Sequence, residues 1–322
     1  DIAIDFGTAN TRIFVRGSGI VFEEPSLCCF DDASGHPKFV AAGAQVSKMF
    51  DRTSGSVRVV RPLARGVLYD IDAGREMLRH AVKLSLGRRR LRTTRAIVGI
   101  PSDATQAEQA ALITAAEDSG LRVVQLIHEP LAAALGAGLP VDQPQGSMLI
   151  ECGAGTTEVV VISLGAICLK RSVRVGGASL DQEIADYLRS EHKFLIGAET
   201  AERVKLEIAA LLIADVEKFP EVVVMGQNSM SGGPGTLVLN AQQIVNVVNR
   251  HVAKIVDVVR DVLNNTPAEL SRDIHDRGLV LTGGSASVIL LQHAIMDATG
   301  LPTSVASEPL TCVARGLGVI LS

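Results

Sequence analysis

The sequence is poor in aromatic residues, with no tryptophan, two tyrosines and an aromatic content of 3%. Any contact between subunits must therefore rest on aliphatic packing and charge pairs. The 322 residues carry a formal net charge of −4, which argues against a nucleic-acid-binding protein, because phosphate binding over a wide face needs clustered positive charge. A signal peptide and apolar runs of 18 residues are also lacking, so we expect no membrane-spanning segment in this sequence.

Cysteine is scarce as well, and the five cysteines show none of the spacings of a metal site. Four of them lie in apolar, strand-like contexts, which predicts buried, reduced thiols and a cytoplasmic protein. With 47% hydrophobic and 20% charged residues, a chain of this length builds a core without disulfide bonds. The five are Cys28, Cys29, Cys152, Cys168 and Cys312.

The apolar pattern has two halves that begin alike. A strand, a glycine-rich turn and a second strand are predicted over residues 2–15, and the same succession returns over residues 148–162. This recurrence at about half the chain indicates an internal duplication. Strands that alternate with helices predict an α/β fold with two such halves facing one cleft. The other predicted elements are strands at 96–101, 123–127 and 278–282, helices at 71–86, 104–119, 131–135, 179–191, 199–213 and 241–264, and a loop at 226–235.

The two turns, the first loop at Asp5–Thr11 and the second loop at Glu151–Thr157, have the composition of phosphate-binding loops. Glycine lets the backbone approach a ligand, so that successive N–H groups point at phosphate oxygens. A carboxylate at the strand end can order metal-bound water. One such loop is equally well explained by a plain hairpin turn, whereas two favour nucleotide binding. Neither is a Walker A loop or a dinucleotide fingerprint, because no Gly-Lys-Ser/Thr occurs and a strand follows each turn.

The first loop resembles that of the actin, heat-shock chaperone and sugar kinase superfamily, and its residues match the MreB family of bacterial actin homologues. The resemblance implies an actin-like ATPase fold with two duplicated α/β domains around a central nucleotide cleft. Domain limits of 1–135 and 136–322 follow, with a small β-rich subdomain at about 22–64, a small helical one at about 175–240, and a C-terminal end that packs back on the first domain. Further similarity lies at 61–63, 66–67, 129–130, 132–134, 136–140, 155–159, 173–177, 201–205, 281–284 and 309–316.

The resemblance also implies the site residues. ATP or ADP with Mg²⁺ is the expected cofactor, with Asp5 and Glu151 holding the metal ion through water. Glu129 would polarise the attacking water, which makes these three acids the expected catalytic residues. The expected nucleotide-binding residues are Gly7, Thr8, Ala9, Asn10, Gly153, Ala154, Gly155, Thr156, Thr157, Gly177, Glu202, Lys205, Gly283, Gly284 and Ser285.

Four positions depart from the family pattern. Glu151 stands where the family has Asp, and its extra methylene displaces the carboxylate by about 1 Å, which weakens catalysis that depends on positioning. His128 replaces a second acid beside the catalytic one, Arg65 replaces an acid, and Ser285 replaces a third glycine. Together they predict a diverged paralogue that binds ATP and hydrolyses it slowly.

An arginine-rich segment follows the first long predicted helix, with five arginines at 85–95. In MreB proteins the equivalent loop lies on the membrane-facing edge, and each cation near an anionic lipid surface contributes about 1 kcal/mol. A solvated basic turn explains the same residues equally well, whereas nucleic-acid contact is disfavoured because no aromatic residues interleave. The residues expected at an anionic membrane surface are Leu86, Arg88, Arg89, Arg90, Leu91 and Arg92.

The leading hypothesis for function is a filament-forming bacterial actin homologue whose nucleotide state controls subunit contacts. We expect it in the cytoplasm, on the inner face of the cell membrane, with membrane adaptor proteins as partners and cell shape or wall synthesis as its process. Two alternatives stay open. One is a small-molecule kinase of the same superfamily, for which no dedicated substrate site is found, and the other is a regulatory actin homologue that does not hydrolyse ATP.

Overall fold

Two five-stranded mixed sheets dominate the structure, a computed structural model that describes residues 1–49, 52–53, 55–87, 94–213 and 220–322. The elements of the first half are β1 (Ile2–Phe6), β2 (Asn10–Val15), β3 (Gly19–Pro25), β4 (Cys28–Asp31), β5 (Lys38–Ala42), α1 (Ala44–Ser47), β6 (Val57–Val60), β7 (Leu63–Ala64), β8 (Val67–Leu68), α2 (Ile71–Leu86), β9 (Thr94–Ile100), α3 (Gln106–Asp118), β10 (Leu121–His128) and α4 (Glu129–Gly136).

The second half repeats this alternation of strands and helices. Its elements are β11 (Ser147–Cys152), β12 (Thr157–Ser163), β13 (Ala166–Val173), α5 (Gly177–His192), β14 (Phe194–Leu195), α6 (Ala198–Ile213), β15 (Glu221–Asn228), β16 (Pro234–Asn240), α7 (Ala241–Asn265), α8 (Ala268–Arg277), β17 (Leu279–Thr282), α9 (Ile289–Thr299), β18 (Thr303–Val305) and α10 (Cys312–Leu321), with 3₁₀ turns at Gly284–Ser287 and Pro309–Thr311.

The two large sheets have the same topology. In the first, β1, β2 and β3 form an antiparallel meander, and β9 and β10 add in parallel on the β1 side, which gives the order β10-β9-β1-β2-β3. In the second, β11, β12 and β13 form the meander, and β17 and β18 add in parallel beside β11. The predicted α/β class and the predicted duplication are both confirmed by this match.

Helix positions follow the apolar period and the capping residues. The helices predicted at 71–86, 104–119, 179–191, 199–213 and 241–264 are α2, α3, α5, α6 and α7, each within two residues at either end. The α2 helix begins after an aspartate, α3 after a threonine in a capping box, and α7 after an asparagine, and each side chain accepts a hydrogen bond from the first turn. No helix among the described residues is both long and apolar enough to cross a bilayer.

Two details differ from the sequence-based expectation. Residues 22–25 belong to β3 of the first large sheet, so the small β4–β5–β6 sheet begins only at Cys28. The loop predicted at 226–235 contains the facing ends of β15 and β16, and the region predicted as helical therefore also holds the sheet β14-β15-β16. The pattern misled because Gly226 and Gly235 oppose each other in that hairpin, and glycine usually indicates a loop.

Helices α4 and α10 pack between the two large sheets. Their crossing is close because Gly136 and Gly316 face each other's backbone, where a methyl group on either would clash with a carbonyl oxygen. The C-terminal helix α10 also packs on β1 and β2, and Arg16 donates a hydrogen bond to the carbonyl of Leu321. The core around these helices takes side chains from both sheets, including Ile97 of β9 and Val160 of β12.

Candidate functional site

The first and second loops close with the same turn. In the first loop the Gly7 N–H donates to the Asn10 carbonyl at 3.0 Å, and in the second the Gly153 N–H donates to the Thr156 carbonyl at 2.8 Å. Each turn joins two antiparallel strands in the same register. The two loops are therefore equivalent position by position, as the sequence pattern indicated.

The two loops meet at the peptide that joins residues 65 and 66. The Gly66 N–H donates to the Thr8 hydroxyl at 3.1 Å. A methyl group at Gly155 would lie 2.5 Å from Gly66 N and 2.6 Å from the Thr8 hydroxyl oxygen. Only glycine fits at this point of the second loop, and the absence of a side chain there lets the two halves of the molecule come into contact.

A cavity of about 560 Å³ opens beside this meeting point, which is within the size range of small-molecule sites. Its floor includes Thr8 of the first loop and the central residues of the second. One wall is the segment 58–70 and the other is the first turn of α5, so the cavity lies between the two halves. Four arginines line it and give it a positive character, namely Arg58, Arg61, Arg65 and Arg174.

Three of the predicted nucleotide-binding residues, Gly177, Gly283 and Ser285, contact the second loop at its N-terminal end. The Ser285 hydroxyl donates to the Gly153 carbonyl at 3.1 Å, and the Gly177 N–H donates to the same carbonyl at 3.0 Å. Gly283 has a φ of +83° and lies so close to the Cys152 carbonyl that a methyl group would clash. These contacts bring three segments distant in the sequence to one end of the second loop.

Lys205 joins this group through an ion pair that sequence analysis missed. Its ammonium lies 2.9 Å from the Asp181 carboxylate and donates to the Gly177 carbonyl at 3.4 Å. Burial raises the pKa of Asp181 and the charge of Glu202 adds to that, whereas Lys205 opposes the shift. Glu202 itself is exposed, and a methyl group at Gly284 would lie 3.6 Å from the Leu310 side chain.

The acid at the end of the first strand of each hairpin has a different neighbour in the two loops. Asp5 is paired in register with Arg12, and their side chains form a buried ion pair of 3.2 Å. Glu151 is paired in register with Glu158, and both are buried. Equivalent positions thus hold a cation in the first hairpin and an anion in the second.

Three carboxylates form a group beside the second loop. Oxygen atoms of Glu129, Glu151 and Glu158 lie within 4.8 Å of one another. Burial, followed by the charge of Glu151, raises the pKa of Glu129 well above its ordinary value, and burial followed by Glu158 does the same for Glu151. Burial also raises the pKa of Asp5, although Arg12 opposes the change. Such a group must hold protons or a cation near neutral pH.

Glu158 is a member of the site that sequence analysis did not select. One carboxylate oxygen accepts from the Ser102 N–H at 2.8 Å and from the Ser102 hydroxyl, while Lys170 donates to the Ser102 carbonyl. The other oxygen is buried and has no hydrogen-bond partner within the described ranges. Burial raises the pKa of Glu158 to about 7. The available signal was an acid at the second position of β12, directly before four apolar residues.

Of the predicted site residues, Thr8, Ala154 and Gly155 line the cavity, whereas the predicted catalytic acids are not among its lining residues. The roles of all these residues stay predictions. Asp5 and Glu151 are buried at strand ends, and Glu129 is the half-buried first residue of α4. The arginine-rich segment is different, because Arg88, Arg89, Arg90, Leu91 and Arg92 lie outside the described residues. Leu86, the last residue of α2, is partly buried against the core of the first half.

A family model described as MreB/Mbl protein matches residues 1–322, the whole chain. The chain belongs to the MreB/Mbl family. The cell shape-determining protein MreB of Escherichia coli K12 is 43% identical to it over 324 residues, which cover 100% of this chain and 93% of that protein.

Solved structures of MreB/Mbl proteins agree with this assignment. A crystal structure of MreB5 of Spiroplasma citri bound to ADP aligns with a TM-score of 0.90 and 35% identity, over 99% of this chain and 95% of that one. The same protein bound to AMPPNP aligns with a TM-score of 0.89 and 34% identity, with the same coverage. MamK in a double helical filament shares the fold, with a TM-score of 0.79 and 17% identity over 99% of this chain and 98% of that one.

Proposed function

We propose that this MreB/Mbl-family chain binds ATP or ADP in the cleft between its halves and assembles into filaments that depend on the nucleotide. The observation that carries the proposal is the convergence of two equivalent glycine-rich loops on one cavity of about 560 Å³. Backbone N–H groups in such loops bind phosphate, and the arginine lining adds positive charge. The MreB5 structures with ADP and AMPPNP support the same ligand class here.

The donor set of the site fits a divalent cation. Hard cations prefer carboxylate oxygens. Three acids converge beside the second loop, and one buried Glu158 oxygen lacks a hydrogen-bond partner in the described part of the chain. In the proposal Asp5 and Glu151 hold Mg²⁺ through water. A bound Mg²⁺ would neutralise phosphate charge. Glu129 polarises the attacking water, and Glu151 makes hydrolysis slow because its carboxylate is displaced.

Self-association is the second part of the proposal and rests on family membership. Relatives over the full length of the chain are cell shape-determining proteins, so we propose cell shape or wall synthesis as the process served. The site of action would be the cytoplasmic face of the cell membrane, reached with adaptor proteins and through the arginine-rich segment. The residues proposed at the anionic lipid surface are Leu86, Arg88, Arg89, Arg90, Leu91 and Arg92.

Calorimetric titration and pelleting with electron microscopy test the first two parts together. We expect binding of ATP and ADP in the presence of Mg²⁺, and filaments that pellet with ATP-Mg²⁺ and decrease when EDTA is added. An absence of nucleotide binding would overturn the proposal as a whole. Monomers under every nucleotide condition, with binding intact, would overturn the filament part, and phosphate transfer to a small acceptor would then favour a kinase.

Liposome co-sedimentation tests the membrane part. Vesicles that contain anionic lipid should pellet the wild type more strongly than neutral vesicles. Unchanged pelleting of the alanine variant of the four arginines at 88–92 would remove the lipid hypothesis and leave a solvated turn. A control that removes the same charge from exposed sites on α7 and α8 replaces Arg250, Arg260, Arg272 and Arg277 with alanine.

A further inference from the structure

The four arginines that line the cavity differ in how they are held. Arg58 forms an ion pair with Asp32 at 3.1 Å, and Arg174 forms one with Asp103 at 3.3 Å. Arg61 donates to the carbonyl of a first-loop residue at 3.5 Å. Arg65 is exposed in the cavity, and its guanidinium forms no ion pair or hydrogen bond in the part of the chain that the structure describes.

The backbone of Arg65, in contrast to its side chain, is fixed on both sides. Its carbonyl accepts a hydrogen bond from the Arg174 guanidinium at 2.6 Å, which reaches across from β13 of the second half. The next N–H, that of Gly66, binds the Thr8 hydroxyl at 3.1 Å. The backbone at Arg65 therefore lies where the two loops meet and is hydrogen-bonded to both halves of the molecule.

Arg65 also has a φ of +51°, in the left-handed region that favours glycine. A long side chain in this conformation costs free energy, and such residues concentrate at ligand sites where the surrounding structure enforces them. A glycine would satisfy the turn without that cost. The arginine side chain is thus not needed for the turn, and it lies in a cavity lined by three further arginines.

Under the proposed function, the contacts of the second loop suggest a direction for the phosphate chain of a nucleotide. We place the nucleoside at the Gly153 end of that loop, which contacts Gly177 and Ser285. The residue at the middle of that loop, Gly155, faces the 65–66 peptide. A phosphate chain that starts on the Gly177 side therefore ends near Arg65.

We propose that Arg65 is a phosphate-binding residue that contacts the terminal phosphate of a bound nucleoside triphosphate and makes the site prefer triphosphate over diphosphate. The inference rests on the proposed function. A guanidinium presents a planar pair of donors that matches two phosphate oxygens. The guanidinium contributes most to the affinity for the triphosphate, which carries the additional phosphate, because charge interactions weaken with distance.

Calorimetric titration of the full chain with AMPPNP-Mg²⁺ and with ADP-Mg²⁺ tests this inference. The main variant is Arg65→Gly, because glycine keeps the left-handed backbone while removing the side chain. We expect about a tenfold loss of AMPPNP affinity, as for the loss of a charge-assisted hydrogen bond, and an ADP affinity within about twofold of wild type. Arg65→Lys keeps the charge without the planar donors and should lose an intermediate amount of AMPPNP affinity.

The matched control is Arg58→Ala, which removes the same charge from the same cavity but takes it from a residue paired with Asp32. It should weaken both nucleotides by one small common factor. If Arg65→Gly also weakens both equally, or weakens neither, the assignment of Arg65 is wrong while nucleotide binding stands. If the wild type binds neither nucleotide, the proposed function fails and this inference falls with it. Should Arg65→Gly not fold, an unchanged AMPPNP-to-ADP preference in Arg65→Lys and Arg65→Met would equally contradict it.

Discussion

The first and second loops have the same backbone turn, yet they place opposite charges across from their acids. In the first hairpin Asp5 faces Arg12, whose guanidinium also lies 2.8 Å from Glu23. In the second hairpin Glu151 faces Glu158, and Glu129 adds a third carboxylate. The two hairpins therefore share the geometry of the turn and differ in its electrostatics.

Because of this difference, the charge state of the acids depends on bound ligands to a different extent in the two loops. An acid beside an arginine keeps its charge more readily than one beside other acids, because the cation opposes the effect of burial on its pKa. Buried acids that repel one another, as Glu129, Glu151 and Glu158 do, must either hold protons or bind a cation. We infer that the first loop is formed before ligand binding, whereas the charge of the second depends on pH and on the cation present.

The largest effect is expected from breaking the ion pair of the first loop with Arg12→Met. The Arg12 and Asp5 side chains are 7% and 8% exposed, and removing one partner of a buried pair costs about 3–5 kcal/mol of unfolding free energy. Asp5 then resembles Glu151, with a pKa raised further in the folded state. The destabilisation should therefore be small below the ordinary Asp pKa and should grow as pH rises, which urea unfolding at several pH values measures.

Two controls sharpen this result. Arg122→Met on β10 removes an exposed arginine and should change the unfolding free energy by at most about 0.5 kcal/mol. Asp5→Asn added to Arg12→Met removes the stranded charge and should recover much of the loss. An equal loss for Arg12→Met at pH 5 and pH 8 would show that packing, and not the charge pair, stabilises the first loop.

The second prediction has the opposite sign, because it concerns a substitution that stabilises the protein, Glu158→Gln in the second hairpin. The folded pKa of about 7 lies above the ordinary 4.5, so the wild type loses stability as pH rises from about 4.5 through 7. At 1.36 kcal/mol per pH unit, this loss is on the order of 3 kcal/mol. Glutamine avoids it and keeps the acceptor for Ser102, so the variant should be the more stable protein at pH 8 and equal to wild type near pH 4.5.

Urea unfolding in EDTA and without nucleotide gives the measurement for Glu158→Gln. Glu117→Gln, an exposed substitution on α3, is the control for the loss of one negative charge. A stability difference that does not depend on pH would mean that Glu158 is not the proton-holding member of the group.

Whether a feature of the fold or of the site can be predicted from the sequence depends on how far apart along the chain its interacting residues lie. The long helices and the two loops follow from local spacing, which is why α2 and α7 lie where the apolar period predicts them. Arg12 and Glu158 could not be selected, because their importance comes from the strand register that sets one opposite Asp5 and the other opposite Glu151. The Lys205 ion pair with Asp181 likewise joins α6 to α5, and spacing along one helix does not show such a partner.

The third prediction compares two glycines of the second loop. A methyl group at Gly155 would lie 2.5 Å from Gly66 N, whereas one at Gly153 would lie 3.3 Å from the Thr156 carbonyl oxygen. Gly155→Ala should force the loops apart and weaken ATP binding about 100-fold, or about 2.7 kcal/mol. Gly153→Ala should cost less than about fivefold. Nucleotide titration checks both, and equal losses would show that contact between the loops does not shape the phosphate site.

The smallest effect is expected from exchanging the acids of the two loops. Glu151→Asp shortens the carboxylate of the second loop by one methylene, and we expect ATP hydrolysis to rise about tenfold, since correct placement within about 1 Å is worth that much or more. Asp5→Glu makes the reverse change in the first loop. It should slow hydrolysis by a similar factor, because the longer side chain must keep its ion pair with Arg12 in a buried space.

Single-turnover measurement of phosphate release separates the two exchanges from changes in nucleotide affinity. If Glu151→Asp leaves the rate unchanged while Asp5→Glu lowers it, the extra methylene does not limit hydrolysis, and the protonation of Glu129 and Glu158 would have to do so. In that case the rate of Glu151→Asp should still rise with pH through 7, the value to which burial raises the pKa of Glu158. If wild type and both variants release no phosphate although they bind ATP, the chain is a regulatory homologue, and the extra methylene of Glu151 is not the reason.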